Sequence, residues 1–152
     1  MVKRILVRED LCSGCRACEV ACVVWHEGRF GTATARLRIA KTEPLGIDQP
    51  QVCRLCGRAP CVASCPTGAL RKDEGTGAVL VEPSECTGCS ACVEACPFGA
   101  VTLHAETGLA LICDLCGGAP ACVKRCATGA IVYAGSRAES RAKPETPFLE
   151  RH

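Results

Sequence analysis

Aromatic residues are scarce. Only one Trp, one Tyr and three Phe occur among 152 residues, so the large rings that usually fill a core are nearly missing. The 48% hydrophobic fraction counts cysteine as apolar, and without cysteine it falls to about 37%, below the usual 45–50% of a globular domain. Charge of one sign is lacking too. A net charge of +2 from interspersed residues supplies no basic field for a phosphate backbone, so a nucleic-acid partner has no support. No apolar run approaches the roughly 18–20 residues of a membrane span. The opening Met1–Asp10 has a short apolar stretch broken by Arg8, Glu9 and Asp10, which does not read as a signal peptide, and the expectation is a cytoplasmic chain. Catalytic signatures are likewise missing. Gly75-Thr76-Gly77 reads as a hairpin turn rather than a phosphate cradle, and no Ser/His/Asp set or carboxylate pair stands out. The expectation is that the chain is not an enzyme by itself.

What the sequence has instead is cysteine, sixteen of them in four groups of four. Cys12, Cys15, Cys18, Cys22 and Cys86, Cys89, Cys92, Cys96 share the spacing C-x2-C-x2-C-x3-C. Cys53, Cys56, Cys61, Cys65 has a four-residue middle gap, and Cys113, Cys116, Cys122, Cys126 has five. The groups form an internal repeat. Motif one maps onto motif three at an offset of 74, and motif two onto motif four at 60, which becomes 61 after the extra Ala121. The chain reads as a duplicated half. The segment Val23–Val52 is 14 residues longer than its counterpart Pro97–Ile112. It holds Trp25, His26, Glu27, Arg29, Arg36, Arg38 and Lys41. Such an insertion either carries specificity or forms a solvated surface hairpin.

Three thiols spaced two residues apart wrap one face of an iron–sulfur cubane, and a fourth, three residues on, is placed to ligate a neighbouring cluster. Cys65-Pro66 and Cys96-Pro97 complete the run typical of two-cluster ferredoxins. Zinc is the competing metal, but its sites favour two separated cysteine pairs. A disulfide framework fits neither the repeat nor a reducing compartment. Sixteen ligands divide into four [4Fe–4S] sites with none left over. Fully thiolate-ligated iron has no vacant position, so such clusters carry electrons rather than polarise substrates. Each oxidised cluster with its thiolates brings about −2, which turns the formal +2 into about −6.

Short helices are expected around Ala17–Val24, Ala59–Cys65, Ala91–Cys96 and Ala121–Cys126. Hairpins are expected from Leu70–Lys72 with Val79–Val81 and from Val101–His104 with Leu109–Ile112. Val2–Val7 pairs with Ala130–Tyr133 to bring the ends together. The fold class is α+β: duplicated bacterial-ferredoxin-like modules with short helices and small antiparallel hairpins around four iron–sulfur clusters. The body is residues 1–134, with a central module at about 50–105 and an outer module of about 1–49 plus 106–134. Residues 135–152 read as a disordered or partner-docking tail, with Phe148 and Leu149 as the anchor.

This four-motif pattern, over about residues 4–134, resembles the four-cluster ferredoxin-like electron-transfer subunits of the dimethyl sulfoxide reductase and formate dehydrogenase families, and those associated with aldehyde oxidoreductases and carbon monoxide dehydrogenase. The resemblance implies ligation across motifs: Cys12, Cys15, Cys18 with Cys126; Cys22 with Cys113, Cys116, Cys122; Cys53, Cys56, Cys61 with Cys96; and Cys65 with Cys86, Cys89, Cys92. Pairing motif one with two and three with four is the alternative. The two Cys-Pro motifs lean towards the first scheme. The run Cys18-Glu19-Val20-Ala21-Cys22, followed by His26-Glu27-Gly28 and Arg36-Leu37-Arg38-Ile39, looks most like the small subunits found with tungsten-containing aldehyde oxidoreductases. The resemblance implies a non-catalytic subunit passing single electrons between a tungsten or molybdenum pterin subunit and a flavoprotein, ferredoxin or quinone-linked acceptor, with self-association possible. A freely diffusing polyferredoxin, a partner of carbon monoxide dehydrogenase or formate dehydrogenase, and a zinc-binding interaction module are the alternatives. His26 is expected to be a loop hydrogen-bonder or interface residue rather than a ligand, and Trp25 a packing or docking residue. His104 and His152 carry no specific signal.

Overall fold

The computed structural model describes residues 2–135; residues 136–152 of the expected tail, with Phe148 and Leu149, lie outside the described residues. Little of the chain is regular structure. Among the described residues, four short α-helices, α1 (Ala17–Glu27), α2 (Pro60–Ala63), α3 (Ala91–Ala95) and α4 (Ala121–Arg125), alternate with eight short strands. The strands are β1 (Arg4–Val7), β2 (Arg38–Thr42), β3 (Ile47–Gln51), β4 (Leu70–Lys72), β5 (Val79–Val81), β6 (Thr102–Leu103), β7 (Ala110–Leu111) and β8 (Ile131–Ala134). They form four separate antiparallel pairs: β1 with β8, β2 with β3, β4 with β5, and β6 with β7. The arrangement is a small α+β fold of ferredoxin type. Among the described residues, no helix is long and apolar enough to cross a membrane.

Each pair has a local cause. In β1 and β8, Ile5 and Ile131 point inward, and the register sets Arg4 opposite Ala134 and Val7 opposite Ile131. The strands β4 and β5 flank the Gly75-Thr76-Gly77 turn, where Asp73 accepts hydrogen bonds from both the Thr76 N–H and its hydroxyl. An Asp side chain closing a turn on the backbone in this way fixes the hairpin without apolar burial.

Apolar packing divides into two cores. The first gathers Ile5, Val23, Leu37, Ile39, Val52 and Leu115 around Cys18, Cys22, Cys113 and Cys122. The second gathers Leu70, Val79, Val101 and Ile112 around Cys61 and Cys92. Helix α1 packs on α4, and α2 on α3. The second core takes in Ala110 and Ile112, so a module boundary near 105 would cut the β6–β7 hairpin, whose Leu103 pairs with Ala110. The cores are joined by Ala78, which is fully buried and belongs to the first core although it precedes β5.

The 23–52 segment is a hairpin, but not a solvated one. Helix α1 runs past the expected Val24 to Glu27 and stops at Gly28, which adopts a left-handed conformation at the helix C-terminus. The chain then enters β2–β3, whose Leu37, Ile39 and the following Val52 are buried. Alternation in Arg36-Leu37-Arg38-Ile39 aims two apolar side chains inward, and that burial overrides the solvated reading. Opposite Ile39 sits Pro50. Pro has no N–H to offer a ladder, and the Ile39 N–H turns away from β3 to the Glu19 carboxylate on α1, at 2.7 Å.

Candidate iron–sulfur cluster sites

The elements bring cysteines together across motifs. One open recess, with about 320 Å³ of atom-free space that includes its mouth to solvent, is lined by Cys12, Cys15, Cys18 and Cys126. Another, of about 300 Å³, is lined by Cys65, Cys86, Cys89 and Cys92. Of the other eight, Cys113 and Cys122 lie within electrostatic reach of Cys22, Cys122 also of Cys116, and Cys113 also of Cys53. Cys53 feels Cys56 and Cys96, and Cys61 feels Cys53 and Cys96. Pairing motif one with two would need Cys65 beside Cys12, whereas Cys65 lies in the recess of Cys86.

The helices explain the division. Cys18 and Cys22 are one turn apart on α1, so one thiol faces each of two neighbouring groups, and Cys122 with Cys126 does the same at α4. Cys61 with Cys65 and Cys92 with Cys96 repeat this at α2 and α3. Neighbouring groups therefore share helices. Cys122 also feels Cys18, and Cys113 feels Cys53, so cysteines assigned to neighbouring groups lie within electrostatic reach of one another.

The glycine of the first loop serves the same purpose in both repeats. A Cβ on Gly14 would collide with the Asp48 carboxylate of β3, and a Cβ on Gly88 would lie 2.5 Å from the Gly108 carbonyl oxygen in the β6–β7 turn. Both have φ near +65°, and in each repeat the following hairpin lies over this loop. Only glycine permits both the left-handed backbone and the close approach.

Hydrogen bonds to sulfur also repeat. Cys22 Sγ accepts from the Arg36 N–H at 3.3 Å and Cys96 Sγ from the Ala100 N–H at 3.4 Å. The hydroxyls of Thr67 and Thr128 lie 3.6 and 3.7 Å from Cys65 and Cys126. Donors of this kind stabilise thiolate. Burial works the other way, pushing Cys18 and Cys113 up to about 12 and Cys122 further still. Buried thiols gathered this closely become thiolates when a metal supplies the opposing charge, so the donor set fits iron.

A polar cluster beside Cys22 lies beyond the sequence-based expectations. His26 Nε2 meets both Asp114 carboxylate oxygens at 3.1 Å, and its Nδ1 donates to the Cys22 carbonyl at 2.8 Å. Both ring nitrogens face acceptors, so the doubly protonated ring fits. Burial would lower the His26 pKa, but the Asp114 bond and the Cys22 contacts carry it to about 9. Burial would raise Asp114, yet hydrogen bonds from His26 and the Cys116 N–H, with the Arg36 charge, hold it near 2. Arg36 adds a hydrogen bond to Asp114 at 2.7 Å. The signal is present in the repeat, because Asp114 stands where motif two has Arg54, a charge reversal between otherwise matching turns. His26 is thus a hydrogen-bonder on the helix rather than in a loop. Trp25 is 57% exposed and Phe30 89% exposed, so Trp25 does not pack in a core. His104 pairs with Glu27 at 3.3 Å and Arg29 with Glu106 at 3.0 Å, which ties the end of α1 to the β6–β7 hairpin; His152 lies outside the described residues.

Fold and thiol clustering together define an iron–sulfur protein of the ferredoxin type. The chain belongs to the 4Fe-4S dicluster domain family, whose model matches residues 47–137, and a 4Fe-4S binding domain model matches residues 9–25. It is 48% identical over 113 residues to the aliphatic sulfonate oxidoreductase polyferredoxin-like subunit of Pyrococcus furiosus, covering 74% of this chain and 65% of that one. It is 39% identical over 116 residues to protein NrfC of Escherichia coli, covering 71% and 51%. The thiosulfate reductase electron transfer subunit PhsB of Salmonella typhi is 38% identical over 114 residues, covering 71% and 59%. The chain thus spans between half and two thirds of these relatives' length. Among solved structures, a chain of the active site complex BamBC of benzoyl coenzyme A reductase aligns with a TM-score of 0.52 and 28% identity, covering 88% of this chain and 76% of that one.

Proposed function

We propose that this protein is a non-catalytic electron-transfer subunit holding four [4Fe–4S] clusters in file. Cys12, Cys15, Cys18 and Cys126 hold the first, and Cys22, Cys113, Cys116 and Cys122 the second. Cys53, Cys56, Cys61 and Cys96 hold the third, and Cys65, Cys86, Cys89 and Cys92 the fourth. The observation that supports this reading is that Cys12, Cys15, Cys18 and Cys126 line one recess and Cys65, Cys86, Cys89 and Cys92 line another, each drawing cysteines from two motifs. Such clusters exchange single electrons and, with every iron bound by thiolate, offer substrates no open position. The protein's own part is to hold them close, exclude water and place N–H and hydroxyl donors on the sulfurs. The first two belong to an outer module, and the last two to a central module of about residues 50–105 extended by the rest of the β6–β7 hairpin.

The partner at one end is a catalytic subunit carrying tungsten or molybdenum on a pterin, of the aldehyde oxidoreductase kind; at the other is a flavoprotein or ferredoxin, all in the cytoplasm. Support comes from the motif-one and insertion residues that resemble such small subunits, and from a Pyrococcus relative named as an oxidoreductase subunit. Anaerobic purification from the native host tests this. Expected are a co-purifying subunit with tungsten or molybdenum, and about sixteen irons with as much acid-labile sulfide per chain. A colourless protein holding zinc would overturn the cluster reading. A lone monomer exchanging electrons with several enzymes would replace the subunit by a free carrier.

A further inference from the structure

Cys22 and Cys96 are equivalent in the repeat, and each accepts one backbone N–H from the residue leading into the next hairpin. That residue is Arg36 in one half and Ala100 in the other. The second group of thiols therefore has a fixed cation where the third has a methyl group. The Arg36 side chain stays close: its Nη1 bonds Asp114, the residue between Cys113 and Leu115, whose carboxylate also accepts the Cys116 N–H at 2.9 Å. Its Nε is buried and has no hydrogen-bond partner in the protein. A buried N–H without an acceptor calls for one, and beside Cys116 the acceptors that a loaded site supplies are sulfurs. Asp114 is bonded by both Arg36 and His26, so its carboxylate does not leave Arg36 with an anion of its own. Beside the third group the cations Lys72 and Arg54 are exposed. Lys72 binds the Cys56 and Gly57 carbonyls beside the third group, and Arg54 lies over the Phe98 ring. The first group has the buried Glu19 next to Cys18.

We propose that Arg36 makes the cluster held by Cys22, Cys113, Cys116 and Cys122 the highest-potential centre of the four, so that an electron entering from either end settles there first. The proposal rests on the four-cluster ligation proposed above. Reduction adds one negative charge to the cluster, and a fixed cation with N–H donors on its sulfurs stabilises that charge. Arg36 is a positioning residue for charge: it acts on the potential and does not itself exchange electrons.

The test is an EPR-monitored redox titration of the full-length loaded protein, with iron and sulfide counted in every variant. Cys22→Ser and Cys116→Ser identify the couple of the second cluster. In Arg36→Gln and Arg36→Met, with four clusters still present, the highest couple is expected to fall while the other three stay in place. Arg36→Lys, which keeps the charge and loses Nε–H, gives a smaller fall and covers the case in which the uncharged variants fail to load. Arg38→Gln, whose guanidinium bonds Ala33 and Thr102, moves that couple less than Arg36→Gln. A highest couple unmoved by the Arg36 variants, or moved at least as far by Arg38→Gln, overturns the proposal and leaves the ligation standing. Cys22→Ser and Cys116→Ser altering different couples, or fewer than four clusters in the unsubstituted protein, sinks the ligation itself.

Discussion

The segments Val23–Val52 and Pro97–Ile112 occupy the same place in the repeat, yet one builds a core and the other only finishes one. The paired sulfur contacts locate the difference. Arg36 follows Cys22 by fourteen residues and Ala100 follows Cys96 by four, so ten of the fourteen extra residues precede Arg36 and the other four lengthen the hairpin. Past that point the halves run in register again: Leu37 and Val101 are both 3% exposed, and β2 begins at Arg38 as β6 begins at Thr102. The inserted residues lengthen α1 and the β2–β3 hairpin and add to the irregular stretch 28–37 between them. What this changes is the chemistry around equivalent thiols, because the longer path carries Arg36 and His26 to Cys22.

The comparison is tested most severely by removing iron. Both cores are built around cysteines, so chelation under acid or denaturant should unfold the chain, seen as loss of far-UV circular dichroism together with the visible absorption. The first core has more large apolar residues, Ile5, Val23, Leu37, Ile39 and Leu115 among them. During stepwise iron loss, amide protection should vanish first from β4–β5 and β6–β7. Protection lost first from β2–β3 would mean that the longer segment adds no stability.

Next in size is truncation at the equivalent inward positions. Leu37→Ala should cost about 2–5 kcal/mol, the range for emptying a buried leucine site. Val101→Ala removes fewer carbons and should cost about 1.5 kcal/mol, near two buried methylenes. Denaturant midpoints of the loaded protein measure both, and equal losses would remove the claim that the longer segment carries more of its core.

The two loop glycines give a finer contrast. Gly14 and Gly88 share the left-handed conformation, so alanine at either meets a penalty of about 1–2 kcal/mol. Gly14 is faced by the end of the Asp48 side chain, which can swing aside, and Gly88 by a backbone carbonyl, which cannot. Gly88→Ala should therefore lose the cluster of Cys86, Cys89 and Cys92, while Gly14→Ala retains its cluster at lower stability; cluster counts decide.

Much of the fold is legible in the sequence, for reasons that also mark where legibility stops. Cysteine spacing, the offsets and the turn residues place β4–β5 at its observed bounds and set β1 against β8, because these depend on local pattern and on the repeat. The β2–β3 hairpin hides behind Pro44, Gly46 and Pro50, which break the run expected of a strand. Pro50 is tolerated because it faces Ile39 at a position where the Ile39 N–H points out of the ladder to Glu19, so the ladder asks no N–H of Pro50. Helix α1 has no breaker until Gly28, so the expected end at Val24 falls short. Asp114 and His26 meet from positions 88 residues apart, and no periodicity reports such a meeting; only the exchange of Arg54 for Asp114 within the repeat hints at it.

Glu19 gives the smallest and most informative effect. It stands where the repeat has Val93, is 4% exposed, and uses one oxygen to accept the Ile39 N–H while the other is buried without a hydrogen bond. Arg16 approaches that oxygen only to 3.8 Å. Glu19→Val makes the two halves alike. It strands the Ile39 N–H, a loss of about 1–3 kcal/mol, but also removes a poorly satisfied buried carboxylate and adds apolar surface to the first core. The opposing effects should leave a net loss of about 1 kcal/mol, read as a small drop in the denaturant midpoint with all clusters retained. Glu19→Gln keeps the acceptor and should lose less. If the valine variant were instead the more stable, the hydrogen bond from α1 to β2 would not be what holds the longer hairpin on its helix, and the burial of Leu37 and Ile39 alone would have to do so.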